Sequence, residues 1–243
     1  LAENLKMTRL VAQEIGDRAF IVGRADQGPF SLAAMILGME NFLLQLAVAD
    51  SARSRRPSPN AEDTARKLHQ LLAFSLEVTT RYAFAQIDQG AHATSIGESL
   101  SGPDVCSPRT YKMFEWDYAR QMVARLKERD VLLAYHICGD ATAIVPDMVE
   151  TGAAILELDY KADMPTVKAA TRGRTTVLGP IDPSGVLALG TPDLVDARCK
   201  EAIEVLGDGG GLILGPGCAL PPATPPDNIH ALVAAAKKYG RYA

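Results

Sequence analysis

Six short β-type runs, each followed by a helical pattern, succeed one another along this chain. They are Ala19–Ala25, Ala91–Gly97, Val131–Ile137, Ala153–Leu158, Thr175–Ile181 and Gly211–Leu214. A strand that leads into a helix cannot return as a hairpin, and the crossover delivers the next strand parallel to the first. Several of the runs are almost continuously apolar, as strands covered on both faces are. Two architectures satisfy this pattern, a doubly wound open sheet and a (β/α)8 barrel. A barrel takes about 250 residues and eight such units. With 243 residues, six units and a first residue that is Leu rather than Met, the expected fold is an α/β (β/α)8 TIM barrel lacking its first two βα units. No internal repeat or low-complexity linker divides the chain, so residues 1–243 are expected to form a single barrel domain whose N-terminal portion is missing.

The helical patterns carry recognisable starts. Gly28-Pro29 precedes one apolar helix over Phe30–Ala49, and Ala61–Gln89 is a long amphipathic stretch. Ser107-Pro108 opens a helix that runs to about Arg129, with Ser as the cap and Pro suited to the first turn. Further helices are expected over Thr142–Glu150, near Pro165–Thr171, from Thr191-Pro192 and from Thr224-Pro225. Ser51–Asn60 reads as a polar loop whose arginines form a solvated turn.

A net charge of −4 leaves no basic footprint for nucleic acid. The most apolar segment, Leu32–Ala49, is interrupted by Glu40, Asn41 and Gln45, short of the roughly 18 uninterrupted apolar residues of a membrane span. No basic and then apolar leader opens the chain, so no signal peptide is expected. Four cysteines, Cys106, Cys138, Cys199 and Cys218, are too few for a disulfide scaffold and point to a reducing, cytoplasmic setting. Cys106, in a loop, and Cys199, in a helix, read as ordinary thiols.

In both architectures chemistry gathers at the carboxyl ends of the strands. The third run ends Tyr135-His136-Ile137-Cys138-Gly139, and residues two apart on a strand share a face. His136 and Cys138 therefore point the same way. The sixth run ends Gly215-Pro216-Gly217-Cys218, which brings a third ligand type to the corresponding region. One His and two Cys with a fourth position open is the pattern of a catalytic zinc site. A His and a Cys two apart on a buried strand are equally readable as packed core, and the residues alone leave both readings open. Asp159, at the end of the fourth run, suits a weak fourth ligand, a partner of His136 or a turn cap, and Glu157 shares its phase but lies deeper. Glu98, ending the second run, suits substrate contact or proton transfer, or a solvated loop. Asp182, in Gly179–Pro183, suits the site mouth or an Asp-Pro turn. His92 reads as a hydrogen-bonded core histidine, and Tyr111, Phe114, Trp116 and Tyr118 as packing. Gly207–Gly211 precedes a strand, whereas a dinucleotide fingerprint follows one.

The order of His136–Gly139 (HICG), Gly179–Pro183 (GPIDP), Gly190-Thr191-Pro192 and Gly217–Pro225 (GCALPPATP), with Thr151-Gly152-Ala153 between the first two and Asp227-Asn228 after the last, resembles the uroporphyrinogen decarboxylase-like superfamily. The likeness is to its zinc- and corrinoid-dependent methyltransferase branch, which includes methylcobamide:coenzyme M methyltransferases. It runs from Gly28-Pro29-Phe30 to the last helix. The resemblance implies a (β/α)8 barrel, Zn2+ on His136, Cys138 and Cys218, and a corrinoid carried on a partner protein. It implies methyl transfer between that corrinoid and a small-molecule thiol or methoxylated substrate. Coordination would strip the proton from a substrate thiol, or the metal would act as a Lewis acid on a methoxy oxygen. Two other readings stay open: metal-free porphyrinogen decarboxylation, whose enzymes lack the His-x-Cys pair, and a non-catalytic module that binds a corrinoid protein.

Overall fold

The computed structural model describes residues 1–54, 56 and 58–241. Of the polar loop Ser51–Asn60, Arg55, Pro57 and the Arg53 side chain lie outside the described residues. The chain falls into two compact units, one of Leu1–Ser101 with Val105–Tyr135, the other of Gly102–Asp104 with the chain from His136 onward.

The first unit begins with α1 (Ala2–Ile15), a helix for which the sequence reading made no assignment, and β1 (Val22–Arg24). The segment read as one helix over Phe30–Ala49 is two, α2 (Pro29–Leu37) and α3 (Met39–Asp50), bent by 111°. The break is Gly38, at φ +84°. An L side chain resists that conformation and glycine does not. Among the described residues no single helix is long and apolar enough to cross a membrane. Next come α4 (Ala61–Ile87) and β2 (Ala93–Gly97), the latter buried along its whole length. The helix expected from Ser107 to Arg129 is also divided, into α5 (Pro108–Phe114) and α6 (Trp116–Lys127). Ser107 caps α5 by accepting from the Thr110 amide, and the break falls at Glu115, at φ −120°. Glu115 is fully buried there and accepts from the Tyr135 hydroxyl at 2.9 Å. A carboxyl drawn inward to a partner, rather than outward to water, sets this bend. His92 is hydrogen-bonded, accepting from the Ile21 amide at 2.9 Å, but it is exposed against Phe20 rather than in the core.

The strand β3 (Leu132–Ile137) passes from the first unit into the second. The second unit continues with α7 (Val145–Glu150), β4 (Ile155–Leu158), α8 (Met164–Thr171), β5 (Thr176–Ile181), α9 (Pro192–Leu206), β6 (Leu212–Pro216) and α10 (Pro226–Tyr239). Asp163 caps α8 and Thr191 caps α9, each accepting from an amide three residues on. The last helix starts one residue after the expected Thr224-Pro225, with Pro225 as its cap. Leu187, Val195, Cys199, Ala202 and Ala235 form one buried cluster, so Cys199 is core filling. Strand order follows chain order, β1-β2-β3-β4-β5-β6. The pairs β1–β2, β4–β5 and β5–β6 are parallel. The α/β class and parallel arrangement are therefore as the alternation requires.

Candidate metal centre

The carboxyl ends of β3 and β6 carry the three sulfur and nitrogen donors. His136 is the fifth residue of β3 and Cys138 follows its last residue, so both leave the strand on one face. Cys218 lies two residues past β6. His136 Nε2 is 2.8 Å from Cys138 Sγ and 3.8 Å from Cys218 Sγ, and the two sulfurs are 3.4 Å apart. Together they form a group in which one ligand atom from each residue lies within 4.8 Å of the others. Bond lengths of about 2.0–2.3 Å on a tetrahedral ion put donor atoms roughly 3.5–3.8 Å apart. The 3.8 Å separation falls in that range and the 3.4 Å one is just short of it; holding an ion requires His136 and Cys138, now 2.8 Å apart, to open by about 0.7 Å.

The imidazole is oriented from behind. His136 is buried, and its Nδ1 lies 3.0 Å from the Glu157 main-chain oxygen and 3.9 Å from the Glu157 carboxylate. A carbonyl can only accept, so Nδ1 carries the proton and Nε2 presents its lone pair to the sulfurs. This is the support that metal-binding histidines ordinarily have. The donor set and the fixed tautomer fit a zinc ion with one position left for a substrate. Without metal, burial and the neighbouring Cys138 thiol push the Cys218 thiol up.

Two glycines allow the loops to close on this point. Gly139 has φ +83°, and a side chain there would run into the Asp104 carboxylate. A Cβ on Gly217 would lie 2.8 Å from the Leu158 oxygen and 2.9 Å from the Tyr160 nitrogen. Only a residue with no side chain lets the strand before Cys218 come this near to the end of β4.

The other expected site residues sit as follows. Asp159 is buried; its Oδ2 accepts from the Gly139 amide at 2.9 Å and its Oδ1 from the Lys161 amide at 3.3 Å. It thus ties the loop after β4 to the residue following Cys138, and it is not in the three-residue cluster. Asp182 Oδ1 accepts from the Ser184 and Gly185 amides at 2.8 and 3.0 Å, holding the π-helical turn Pro183–Ala188. It also lines a cavity of about 320 Å³ with Tyr160, Met164 and Arg198. Glu98 belongs to the first unit and has no exposed surface. Its two oxygens accept from the Phe30 and Ser31 amides, at 2.8 and 2.7 Å, at the amino end of α2. Burial, with help from the Asp26 charge, still pushes its carboxyl up to about 7. Glu115 is held well above the usual carboxylate range by burial and by the charge on Glu98. Cys106 is buried, with its sulfur 3.2 Å from the Leu100 oxygen, and burial pushes its thiol up to about 11.

Sequence reasoning missed Glu115, which stands inside an aromatic run, and Asp104 with Lys161, an ion pair at 3.5 Å beside Gly139. A lone acid among aromatics was the available signal for the first. For Lys161 the signal was its isolation: it is the one Lys or Arg in the segments that leave the carboxyl ends of the six strands.

A family model described as uroporphyrinogen decarboxylase (URO-D) matches residues 1–239. The methylcobamide:CoM methyltransferase MtaA of Methanosarcina barkeri is 30% identical over 236 residues, covering 97% of this chain and 63% of that protein. A uroporphyrinogen decarboxylase from Crocosphaera subtropica is 29% identical over 232 residues, covering 93% of this chain and 60% of that protein. Among solved structures, a methyltransferase from Methanosarcina mazei superposes with a TM-score of 0.83 at 25% identity, over 98% of this chain and 64% of that one. The chain thus spans less than two thirds of the length of these relatives. The resemblance to the methyltransferase branch, expected from the motifs, is present in both sequence and structure comparisons.

Proposed function

The chain belongs to the uroporphyrinogen decarboxylase family, and we propose that it carries the zinc site of a corrinoid-dependent methyltransferase. The reaction would move a methyl group between a corrinoid on a partner protein and a thiol or a methoxylated substrate. The observation that carries this reading is the convergence of His136 Nε2, Cys138 Sγ and Cys218 Sγ from two strand ends, with His136 Nδ1 on the Glu157 carbonyl. A zinc ion held by these three residues would supply Lewis acidity, favouring the thiolate of a substrate thiol or polarising a methoxy oxygen.

The residues of the chain divide the remaining work. Glu157 fixes the His136 tautomer through its main-chain oxygen. Asp159 holds Gly139, and through it the placement of Cys138. Asp182 keeps the turn after β5 in place beside its cavity. Glu98 would act by anchoring α2 rather than by touching a substrate. The six βα units are read as the last six of an eight-unit barrel, in keeping with the share of the relatives' length that the chain spans.

Porphyrinogen decarboxylation is the second reading, favoured by the family description and by relatives of that name. The three-residue donor cluster, for which metal-free chemistry has no use, ranks it second. Methyl transfer from methylcobalamin to a panel of thiols, followed by Co(I) absorbance, tests the first reading, with the reverse assay on methoxylated aromatics beside it. A zinc-loaded protein inert in both directions that decarboxylates a porphyrinogen would overturn it.

A further inference from the structure

The two sulfurs of the cluster stand close enough to bond to each other. Cys138 Sγ and Cys218 Sγ are 3.4 Å apart. A disulfide holds its sulfurs about 2.05 Å apart, so closing the gap asks roughly 1.4 Å of movement, shared by two side chains. Neither residue is part of a strand: Cys138 follows the last residue of β3 and Cys218 lies two residues past β6. Both are partly exposed. Cys106 and Cys199 are buried, and burial pushes each of their thiols up to about 11. An aqueous oxidant therefore reaches the first pair and not the second. The order of reaction follows from His136. Its Nδ1 proton is committed to the Glu157 oxygen, and the Nε2 lone pair lies 2.8 Å from Cys138 Sγ but 3.8 Å from Cys218 Sγ. A sulfur beside an oriented imidazole is the better nucleophile, and a second cysteine within reach resolves its oxidation.

We propose that Cys138 and Cys218 are a peroxide-oxidisable pair, closing to a reversible disulfide in the zinc-free protein and guarded by zinc in the loaded one. The oxidation goes beyond the reading above; its consequence for the metal rests on that reading. The Cys138 sulfur attacks one oxygen of hydrogen peroxide. The S–O bond forms, the O–O bond breaks, and the thiol proton passes through His136 Nε2 to the departing hydroxide, which leaves as water. The Cys218 sulfur then attacks the sulfenic sulfur. The S–S bond forms, the S–O bond breaks, and the hydroxyl leaves as water with the Cys218 proton. Two thiols are oxidised, and the peroxide is reduced to water. The disulfide removes both anionic ligands and leaves His136 alone, so the oxidised site takes no zinc. A bound ion engages the sulfur lone pairs and sets the sulfurs about 3.5–3.8 Å apart, which keeps them from meeting. A dithiol reverses the bond by exchange.

The test treats zinc-free and zinc-loaded protein with an equivalent amount of hydrogen peroxide. Non-reduced peptides are mapped by mass spectrometry, and zinc uptake is followed with a chromophoric chelator. The zinc-free protein should yield a peptide joining Cys138 to Cys218 and lose its zinc uptake. Dithiothreitol should restore both thiols and the uptake. The loaded protein should give no joined peptide. In Cys218→Ser a sulfenic acid should persist on Cys138 and be captured by dimedone. Sulfinic acids in place of the joined peptide, pairing through Cys106 or Cys199, or equal joining in protein shown to carry zinc would overturn the assignment. A joined peptide from a protein that takes up no zinc even when reduced would instead remove the zinc reading and leave the oxidisable pair standing.

Discussion

His136 Nδ1 lies 3.0 Å from the main-chain oxygen of Glu157, so a strand that supplies no ligand decides which nitrogen of the imidazole faces the two thiols. The bond costs the site no side chain, because the acceptor is a carbonyl at the edge of β4. It also means that the tautomer is settled by the sheet itself, before any metal arrives.

Removing a ligand should empty the site. In Cys218→Ala, bound zinc measured by atomic absorption should fall from about one per chain to near zero, since a three-ligand site has no spare. The fold, followed by far-ultraviolet circular dichroism, should be retained. A variant that keeps stoichiometric zinc would show that Cys218 is not a ligand.

Asp159 should behave differently from the ligands. Asp159→Ala removes the acceptor for the Gly139 amide, and loss of a supporting partner ordinarily lowers metal affinity by about 10- to 100-fold. Asp159→Asn keeps one acceptor oxygen and should lose less. Competition with a chromophoric chelator measures both, and a loss as complete as that of Cys218→Ala would make Asp159 a ligand.

Gly217 should tolerate no side chain. In Gly217→Ala the new methyl would meet backbone atoms of Leu158, Asp159 and Tyr160 at 2.8 to 3.0 Å, and backbone cannot rotate away as a side chain can. Overpacking of this kind costs about 1–3 kcal/mol, and the displaced Cys218 should weaken zinc binding as well. Urea unfolding and chelator competition on one sample read the two effects.

The carboxyl pair predicts a pH dependence. Glu98, pushed up to about 7, and Glu115, held well above the usual carboxylate range by burial and by the charge on Glu98, hold protons in the folded state that the unfolded chain releases near 4.5. Stability should therefore be greatest on the acid side and fall as pH rises from 4.5 through about 7, by a few kcal/mol. Glu115→Gln imitates the protonated acid, can still accept from Tyr135, and should flatten that fall. Urea midpoints of both proteins at about pH 5 and about pH 8 give the comparison. Parallel curves would show that Glu115 does not take up its proton more readily in the folded state.

The ligands were legible because their evidence is local. His136 and Cys138 are two apart on an apolar run, and Cys218 follows a glycine at the end of another. The six strands were legible for the same reason, although β1 is only three residues and β6 reaches Pro216, two beyond the expected end. The two helix breaks were hidden. Phe30–Ala49 and Pro108–Arg129 keep a helical pattern through Gly38 and Glu115, and one glycine or one acid inside such a pattern is ordinarily tolerated. Glu98 carried a signal that pointed outward, since an acid after a strand usually meets water; α2 brings its free amides over it and removes the water instead.

The sequence by itself determined the alternation, and with it the parallel sheet and the strand ends at which chemistry would gather, because side-chain period and crossover length are properties of short segments. Only the tertiary structure decided which atoms meet. That Cys218 comes within 3.4 Å of a sulfur 80 residues earlier depends on the bare backbone of Gly217 beside β4. That Asp159 spends its oxygens on amides depends on the turn of Gly139. Such contacts are fixed by the summed geometry of elements far apart in the chain, which no local pattern encodes.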